Sequence, residues 1–349
     1  MLDSISARFT KADHMTTLEE LNEHLTRPTQ AEIDTLFHHP GDIVVLGASG
    51  KMGPSLVARI RRASPTSNVH AVARFTDPQV VEEITATGAL PIVCDLHNPE
   101  EIVHLPEAPS VFYLVGRKFG SAQRPDLTWA ANTLVPSFVG HHYRHSRIVV
   151  YSSGNVYSLV DFQSQGSTEE SDTTPVGEYA QSALARERIF DYYAREHHTQ
   201  TAILRLNYAV DCRYGTLVDI ARRVATDQPV PIRVPKVNAI WQGDANRYAI
   251  LALNHCCSPA NILNITGPGI IDVIETARWF AKRLGKTVAF EQGTPRNRVL
   301  LNDASRCHDL FGPPEVNLAT LKEWVAQWIE SGGESLDKPT HFEATDGNF

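Results

Sequence analysis

The sequence predicts a doubly wound α/β fold, in which helices cover both faces of a parallel sheet. Between residues 42 and 206, short apolar runs rich in β-branched residues alternate with helical patterns. Parallel neighbouring strands need long crossover connections of this kind. The apolar runs are nearly continuous, as in strands that are buried on both faces. After residue 206 the alternation ends and prolines crowd residues 229–235, which indicates a second region of different architecture.

Residues 1–41 are predicted to form a helical extension before the first strand. A threonine at position 16 or 17 can cap a first helix. Thr29 and Glu32 have the spacing of a capping box for a second helix. Pro28 separates the two helices.

The region 42–206 is expected to be a dinucleotide-binding domain. Its strands are predicted at 43–46, 69–73, 90–94, 111–115, 148–151 and 201–206. The helices between them are predicted at 56–62, 78–87, 99–104, 125–144 and 178–198.

Residues 207–335 are expected to form mainly a smaller, mostly helical cap, with segments that return to the sheet. Its helices are predicted at 246–256, 271–284 and 317–331. Residues 336–349 form a polar tail. The aromatic residues of this tail hint at docking, and disorder is an equal alternative. They are His341, Phe342 and Phe349.

Composition and charge are typical of a soluble globular protein. The chain has 349 residues, of which 42% are hydrophobic and 21% are charged. A net charge of −8 without a basic tract argues against nucleic acid as a partner. The lack of an apolar run of about 18 residues argues against a membrane span. With no signal-peptide core at the start and no C-x-x-C spacing, we expect a cytoplasmic protein with reduced thiols and no metal site.

The stretch VVLGASGKMG has the properties of a phosphate-binding turn between the first strand and a helix. Glycine lets the backbone turn tightly and approach a pyrophosphate, and a helix N-terminus attracts its negative charge. A P-loop is excluded, because Met52 follows Lys51 where Ser or Thr is required. The spacing is G-x-x-G-x-x-G, and we expect this turn to hold a dinucleotide. The candidate cofactor-binding residues are Gly47, Ser49, Gly50, Lys51, Met52 and Gly53.

Arg74 follows the second strand, where an NAD-selective site usually carries an acidic residue for the ribose 2′-hydroxyl. A guanidinium suits a 2′-phosphate, although it can also stack on adenine or be solvated. Lys51 adds positive charge near the phosphates, so we expect NADP or NAD with a slight preference for NADP. Asp95 and Leu96 follow the third strand and are placed to meet the adenine ring, and Asp95 can instead cap a helix.

Further motifs follow the glycine turn in order. They are Cys94-Asp95-Leu96, Asn132, the stretch YSSGNVY at 151–157, Tyr179, the stretch LRLNY at 204–208, the stretch WQGDA at 241–245 and Leu263-Asn264-Ile265. From about residue 43 to about residue 285, the chain resembles the extended short-chain dehydrogenase/reductase superfamily, the NAD-dependent epimerase/dehydratase group. The resemblance implies a Rossmann sheet with a C-terminal substrate-binding cap. It also implies that Ser153 and Tyr179 are catalytic, and that further residues contact the cofactor: Leu114, Val115, Gly116, Asn132 and Tyr179.

The chain departs from this family at one position. The family lysine lies four residues after the tyrosine, and here that position is Ala183. In the family this lysine binds the nicotinamide ribose and lowers the pKa of the tyrosine. Arg186 lies two helical turns from Tyr179, about 10 Å along the axis, which is a long reach. Lys118, in the loop after the fourth strand, is the favoured pocket cation, for a substrate carboxylate, and a solvated lysine is the alternative.

Three hypotheses for the function follow from these features. The first is an enzyme that moves hydride between nicotinamide and a hydroxyl-bearing carbon, and the second is an epimerase or dehydratase that uses the same pair. The third is a non-catalytic NADP-binding sensor, which Ala183 favours. Gly154-Asn155 replaces the Asp-Glu pair of the family's 4,6-dehydratases and disfavours that reaction.

The expected partner is a small hydroxylated molecule, and a free sugar, a sugar acid and a nucleotide sugar all stay open. A homodimer is an open alternative to a monomer. The candidate substrate-binding residues are Lys118, Asn155, Asn207, Arg213, Trp241 and Gln242.

Overall fold

A computed structural model describes residues 14–337, 340–344 and 347 of the chain. The parts of the predicted extension and tail outside these ranges, including Phe349, lie outside the described residues. In chain order the strands are β1 Ile43–Leu46, β2 Val69–Ala73, β3 Leu90–Val93, β4 Ser110–Tyr113, β5 Arg147–Ser153, β6 Val160–Asp161, β7 Gln200–Leu206, β8 Ala209–Val210, β9 Lys236–Asn238, β10 Ile240–Trp241, β11 Asn261–Ile265, β12 Ile270–Asp272 and β13 Arg298–Val299.

The helices flank the strands in alternation through the first half of the chain. They are α1 Leu18–Thr26, α2 Gln30–His38, α3 Gly53–Ala63, α4 Pro78–Ala86, α5 Pro99–Ile102, α6 Pro125–Trp129, α7 Val135–His142, α8 Gly177–His197, α9 Thr216–Ala225, α10 Gln242–Leu251, α11 Val273–Arg283, α12 Ser305–Phe311 and α13 Leu318–Glu330. No helix within the described ranges combines the length and apolar character needed to cross a membrane.

The central sheet has seven parallel strands in the order β11-β7-β5-β4-β1-β2-β3. Both of its faces are covered. In β1, Ile43 and Val45 pack into one apolar cluster with α3 and α10, while Val44 and Leu46 pack into another with α7 and α8. This is the arrangement that the near-continuous apolar strands predicted. The predicted doubly wound fold is therefore confirmed.

The helix predicted at 125–144 is divided into three pieces. A π-helical stretch, Ala130–Leu134, separates α6 from α7. Pro136 lies at the start of α7 and has no N–H to donate to the carbonyl of Asn132, so the regular hydrogen-bond ladder cannot continue through this point. Widened turns of this kind are frequent at functional sites.

Three helices after residue 206 differ from the prediction, which lacked both α9 and α12. In α9 the buried residues have helical spacing: Leu217, Val218, Ile220, Ala221 and Val224. The predicted helix 246–256 is α10 followed by a 3₁₀ turn, Ala252–His255. All ten residues of α10 are buried, and the helix packs against α2 and α3 rather than within the cap.

The cap core lies among α9, α11 and α13. Trp241 and Trp324 pack edge to face there, with ring centroids 5.2 Å apart. The N-terminal helices α1 and α2 begin at capping boxes, Thr17 with Glu20 and, as predicted, Thr29 with Glu32.

A buried ion pair attaches the N-terminal helices to the sheet domain. Glu32 on α2 accepts two hydrogen bonds from Arg59 on α3, at 2.5 and 2.8 Å. The Glu32 side chain is 0% exposed and that of Arg59 is 3% exposed. Removal of one partner from such a pair leaves an uncompensated buried charge, which costs about 3–5 kcal/mol.

We therefore expect Glu32→Ala to lower the free energy of unfolding by about 3–5 kcal/mol, since it strands the Arg59 charge. Urea denaturation measures the change. Glu23→Ala is the matched control, because Glu23 pairs with Arg27 and Arg62 at the surface and its loss should cost less than about 1 kcal/mol. An equal decrease in the free energy of unfolding for the two variants would contradict the anchoring role of the buried pair.

Candidate functional site

The site lies where the strand order of the sheet reverses. β1 lies between β2 and β4, and its connections run in opposite directions along the sheet. Ligands of open α/β sheets bind outside the carboxyl ends of the strands at such a switch point. Here the glycine turn after β1 faces the loop that follows β4.

The glycine turn is shaped for close backbone approach. Gly47 has a φ of +83°, and a Cβ on it would lie 3.0 Å from the backbone N of Val115. A Cβ on Gly53 would lie 2.1 Å from the carbonyl oxygen of Ala48, so α3 can pack this tightly only with glycine at its first position. The N-terminus of α3 therefore opens onto the switch point, as a pyrophosphate site requires. The described residues fit a dinucleotide.

The predicted cofactor residues fall into two groups around this turn. Ser49, Gly50 and Met52 lie in the turn itself, and Leu114, Val115 and Gly116 lie at the end of β4 opposite it. Leu114 donates its backbone N–H to Leu46 at 2.9 Å, which holds the two strand ends together.

The adenine end of the predicted site lies beyond β2 and β3. Arg74 is exposed directly after β2. Burial raises the pKa of Asp95, but the hydrogen bonds from His97, with smaller contributions from the charges of His97 and Arg74, lower it overall. Asp95 accepts hydrogen bonds from the backbone and ring of His97 at 3.1 and 3.0 Å. The alternative that Asp95 caps the next helix is wrong, because Asn98 is the N-cap of α5. Leu96 is buried.

A cavity of about 180 Å³ adjoins the turn on the substrate side. Seven of its lining residues were predicted as site residues: Lys51, Met52, Lys118, Ser153, Asn155, Tyr179 and Asn207. Ser152, Leu206 and Tyr208 were named only as members of motifs, and four lining residues were not predicted: Ala209, Tyr214, Gly215 and Thr340. Leu206, Tyr208 and Ala209 lie at the end of β7 or just after it, so their nearness to a strand end was the available signal. No signal marked Thr340.

Ser153 is the last residue of β5 and its hydroxyl is oriented by Asn155. The Ser153 oxygen accepts hydrogen bonds from the backbone N–H of Asn155 at 3.2 Å and from its side-chain amide at 3.0 Å. Because the oxygen accepts both bonds, the hydroxyl hydrogen is free to point into the cavity. Ser152, by contrast, donates to Glu187 at 2.5 Å.

Tyr179 lies in the first turn of α8 and lines the same cavity as Ser153. The ammonium group of Lys118 is 6.0 Å from the ring centroid of Tyr179 and 6.0 Å from that of Tyr208. Burial lowers the pKa of Lys118 to about 8, although the negative charge of Glu343 opposes this shift.

Lys51 extends from the glycine turn toward the cap. Its ammonium group donates to the carbonyl of Ala209 at 2.9 Å and lies 4.4 Å from the ring centroid of Tyr214. Burial lowers the pKa of Lys51 to about 8. Two lysines thus face the substrate cavity, whose lining includes no acidic residue among those described.

Ala183, at the position of the family lysine, is fully buried against Val156 and Tyr157. Arg186, one turn further along α8, donates to the carbonyl of Val115 at 2.9 Å. A Cβ on Gly116 would lie 2.6 Å from its guanidinium. Arg186 therefore reaches the end of β4.

Asn132 connects the loop after β4 to α8. Its side-chain oxygen accepts from the backbone N–H of Arg117 at 3.0 Å, and its amide donates to the Arg117 carbonyl at 3.2 Å. The same amide donates to the Ser182 hydroxyl at 2.9 Å. Asn132 thereby fixes the backbone directly before Lys118 relative to the helix that carries Tyr179.

A buried polar network lies behind the cavity. Arg205 on β7 donates to both carboxylate oxygens of Glu187 on α8, with the shortest distance 2.7 Å. Arg205 also donates to the Tyr157 hydroxyl at 2.7 Å, which donates in turn to Asn264 on β11 at 2.8 Å. The network links the strands and the helix whose ends carry the site.

The structure does not bring three predicted substrate residues to the cavity. Trp241 packs in the cap core. Gln242 is 0% exposed and donates to Ser55 on α3 at 2.9 Å. Arg213 pairs with Asp211 at 3.2 Å. In the described ranges, no three histidine, cysteine or acidic side chains converge as ligands for a metal ion.

Residues 43–210 match the model of the NAD dependent epimerase/dehydratase family. The part of the chain that forms most of the parallel sheet, with the glycine turn, Ser153 and Tyr179, is therefore similar to this family. No curated protein is significantly similar to the sequence.

Solved structures of epimerases and of a dehydratase share the fold of this chain across nearly their whole length. The epimerase of Methanothermobacter thermautotrophicus has a TM-score of 0.72 and 17% identity, covering 88% of this chain and 97% of that one. The UDP-glucose 4-epimerase of Thermotoga maritima has a TM-score of 0.69 and 17% identity, covering 83% and 99%. The dTDP-glucose 4,6-dehydratase of Bacillus anthracis, solved with NAD, has a TM-score of 0.70 and 16% identity, covering 83% and 97%.

Proposed function

We propose that this enzyme transfers hydride between a nicotinamide dinucleotide and a hydroxyl-bearing carbon, with Tyr179 as the acid/base and Ser153 assisting. One observation carries the proposal. Ser153, Tyr179 and Lys118 line a single cavity at the carboxyl edge of the sheet, beside a glycine turn that fits a dinucleotide.

Tyr179 and Ser153 act on the same substrate oxygen in different ways. In the oxidation direction, the Tyr179 phenolate accepts the hydroxyl proton, while the Ser153 hydroxyl donates a hydrogen bond to the same oxygen. Asn155 supports this because its two donors occupy the acceptor side of the Ser153 oxygen. When bound, a nicotinamide dinucleotide supplies the hydride acceptor, or the donor in the reverse direction.

Lys118 takes over part of the role of the missing family lysine in this proposal. A cation about 6 Å from the Tyr179 ring stabilises negative charge that develops on the tyrosine oxygen during the reaction. Lys118 can serve this role below its own pKa of about 8, where it is protonated. Asn132 supports the assignment, because it holds the backbone before Lys118 against α8.

NADP is the favoured cofactor, with NAD as the alternative. Arg74 is exposed at the end of β2, where its guanidinium can meet a 2′-phosphate. The nearest acidic side chain along the chain, Asp77, accepts from the backbone N–H of Gln79 as the cap of α4. The solved dehydratase of Bacillus anthracis contains NAD, so NAD is a necessary comparison in any test.

The substrate is a sugar, a sugar acid or a nucleotide sugar, and the reaction is a dehydrogenation or an epimerisation. The solved relative from Thermotoga maritima contains UDP-glucose. Packing of Ala183 among apolar groups favours one competing function, that of a sensor that binds a dinucleotide and catalyses no reaction. A cytoplasmic location and a homodimer stay predictions from the sequence.

Tyr179→Phe should reduce turnover at least 1,000-fold, because the ring remains but the proton acceptor is lost, and general acid–base groups contribute about 10²–10⁴-fold. Steady-state assays over a panel of sugars and sugar acids measure turnover, and NADPH fluorescence measures dinucleotide affinity, which should change less than about threefold. Tyr192→Phe, an exposed tyrosine on the same helix, is the matched control. Undiminished turnover in Tyr179→Phe would refute the acid/base assignment, and absence of turnover in the unmodified enzyme would favour the sensor.

Lys118→Met should move the pH–rate profile for oxidation toward alkaline pH by about one unit, since one unit corresponds to ~1.4 kcal/mol of lost interaction. The direction of the expected change follows from the charge, because the Lys118 cation stabilises the negative charge that develops on the Tyr179 oxygen. Lys118→Arg keeps the charge and should leave the profile within a few tenths of a unit. A profile that stays in place in Lys118→Met rules out this electrostatic role.

Arg74→Ala should weaken NADP binding about 10–100-fold and NAD binding less than about threefold, because only NADP carries the 2′-phosphate that a charged hydrogen bond recognises. Titration of both dinucleotides against the same protein measures the ratio. Arg61→Ala, on α3 away from the adenine end, is the control. Equal loss of both affinities would contradict recognition of the 2′-phosphate.

A further inference from the structure

The C-terminal segment crosses the substrate side of the cavity. We call its described residues, Thr340–Ala344 and Gly347, the strap. Thr340 lines the cavity itself. His341 lies beside Phe119, with ring centroids 6.3 Å apart, and Phe119 directly follows Lys118. The strap therefore begins at the cap and continues to the loop after β4.

Thr340 attaches the strap to the cap. Its backbone N–H and its hydroxyl both donate to one carboxylate oxygen of Asp219 on α9, at 3.0 and 2.5 Å. Two residues further on, Phe342 is 2% exposed and belongs to the apolar core of the cap. Full burial of such a ring contributes about 1.5–3 kcal/mol. The strap is thus a packed element of the cap.

Gly347 attaches the other end of the strap to the sheet domain. It is buried against Val176 and Gly177, and Gly177 is the first residue of α8, two positions before Tyr179. A Cβ on Gly347 would lie 2.5 Å from the carbonyl oxygen of Val176, and one on Gly177 would lie 2.6 Å from the carbonyl oxygen of Gly347. The two backbones approach so closely that each position needs glycine.

The strap leaves a small, cationic cavity. Its volume of about 180 Å³ lies below the ~300–1,000 Å³ of sites that enclose drug-sized ligands. Lys51 and Lys118 both line it, and none of its described lining residues is acidic. Burial lowers the pKa of both lysines to about 8, although the charges of Asp211 and Glu343 oppose these shifts. An anionic ligand of about monosaccharide size satisfies both constraints, whereas a nucleoside diphosphate exceeds the space.

We propose that the strap closes the substrate side of the site and restricts the enzyme to free, monosaccharide-sized hydroxy acids. Substrates that carry a nucleoside diphosphate are excluded for as long as the strap is in place. This proposal rests on the proposed function for the identity of the site. The strap is a specificity element and takes no part in the transfer of proton or hydride.

The test compares free sugar acids with a sugar acid that carries a nucleoside diphosphate; glucuronic acid and UDP-glucuronic acid differ only by the nucleotide. Titration calorimetry in the presence of NADP measures the affinity of glucuronic, galacturonic and gluconic acids, and of UDP-glucuronic acid. For the unmodified chain, we expect at least one free acid to bind at least 100-fold more tightly than UDP-glucuronic acid. Equal or tighter binding of UDP-glucuronic acid would overturn the size restriction, and absence of binding by every free acid would overturn the substrate class.

Two variants release the strap in different ways. A chain that ends after Leu336 lacks it, and Gly347→Leu pushes it off Gly177 while keeping Phe342 in the cap core. In either variant, the affinity for the free acid divided by the affinity for UDP-glucuronic acid should fall at least tenfold. Gly285→Leu is the matched control, because Gly285 also has a positive φ (+63°) but an added Cβ meets nothing within 4 Å. An unchanged ratio in Gly347→Leu would overturn the gating role, even if the shortened chain fails to fold.

Failure of the proposed function gives a different result. Binding ratios do not depend on turnover, so they report on the strap even if Tyr179→Phe retains full activity. Conversely, loss of activity in Tyr179→Phe with an unchanged ligand ratio in Gly347→Leu would leave the hydride-transfer function standing and refute the strap alone.

Discussion

The buried ion pair between Glu187 and Arg205 is the interaction on which the geometry of the site depends. It joins α8 to β7, and Glu187 also accepts from Ser152 on β5. Both charged side chains are at most 2% exposed, so loss of either partner would strand a charge in the interior at a cost of about 3–5 kcal/mol. Ser153 directly follows Ser152, and Tyr179 lies two turns before Glu187. The same pair therefore sets the separation of the proposed catalytic groups.

A second constraint follows from this packing. With Glu187 held inward, Ala183 faces Val156 and Tyr157, and that side of α8 is closed to any long side chain. A cation for Tyr179 must then come from across the cavity, where the loop after β4 ends. Asn132 makes this feasible, because it binds both backbone groups of Arg117 and the Ser182 hydroxyl.

The sheet was predictable because each of its strands is a local apolar run with a crossover helix beside it. The glycine turn was predictable for a similar reason, since strand, glycines and helix are contiguous in sequence. The division of the helix at 130–134 depends on Pro136, which is present in the sequence but did not enter the prediction of one continuous helix. The burial of Trp241 and Gln242 was not predictable, because their partners Trp324 and Ser55 are remote in sequence. Thr340 is the extreme case, since its anchor Asp219 lies 121 positions away.

The strap is held weakly in comparison with the Glu187–Arg205 pair. Ordering Thr340–Ala344 costs about 1–2 kcal/mol per residue. The burial of Phe342 contributes about 1.5–3 kcal/mol, and each hydrogen bond to the Asp219 carboxylate contributes about 1.5–3 kcal/mol. These contributions nearly cancel, whereas the Glu187–Arg205 pair is enclosed on all sides. Contacts made by a substrate therefore have far more effect on the position of the strap than on that of Ser153 or Tyr179. Substitutions in the strap can thus change substrate specificity while the catalytic geometry stays fixed.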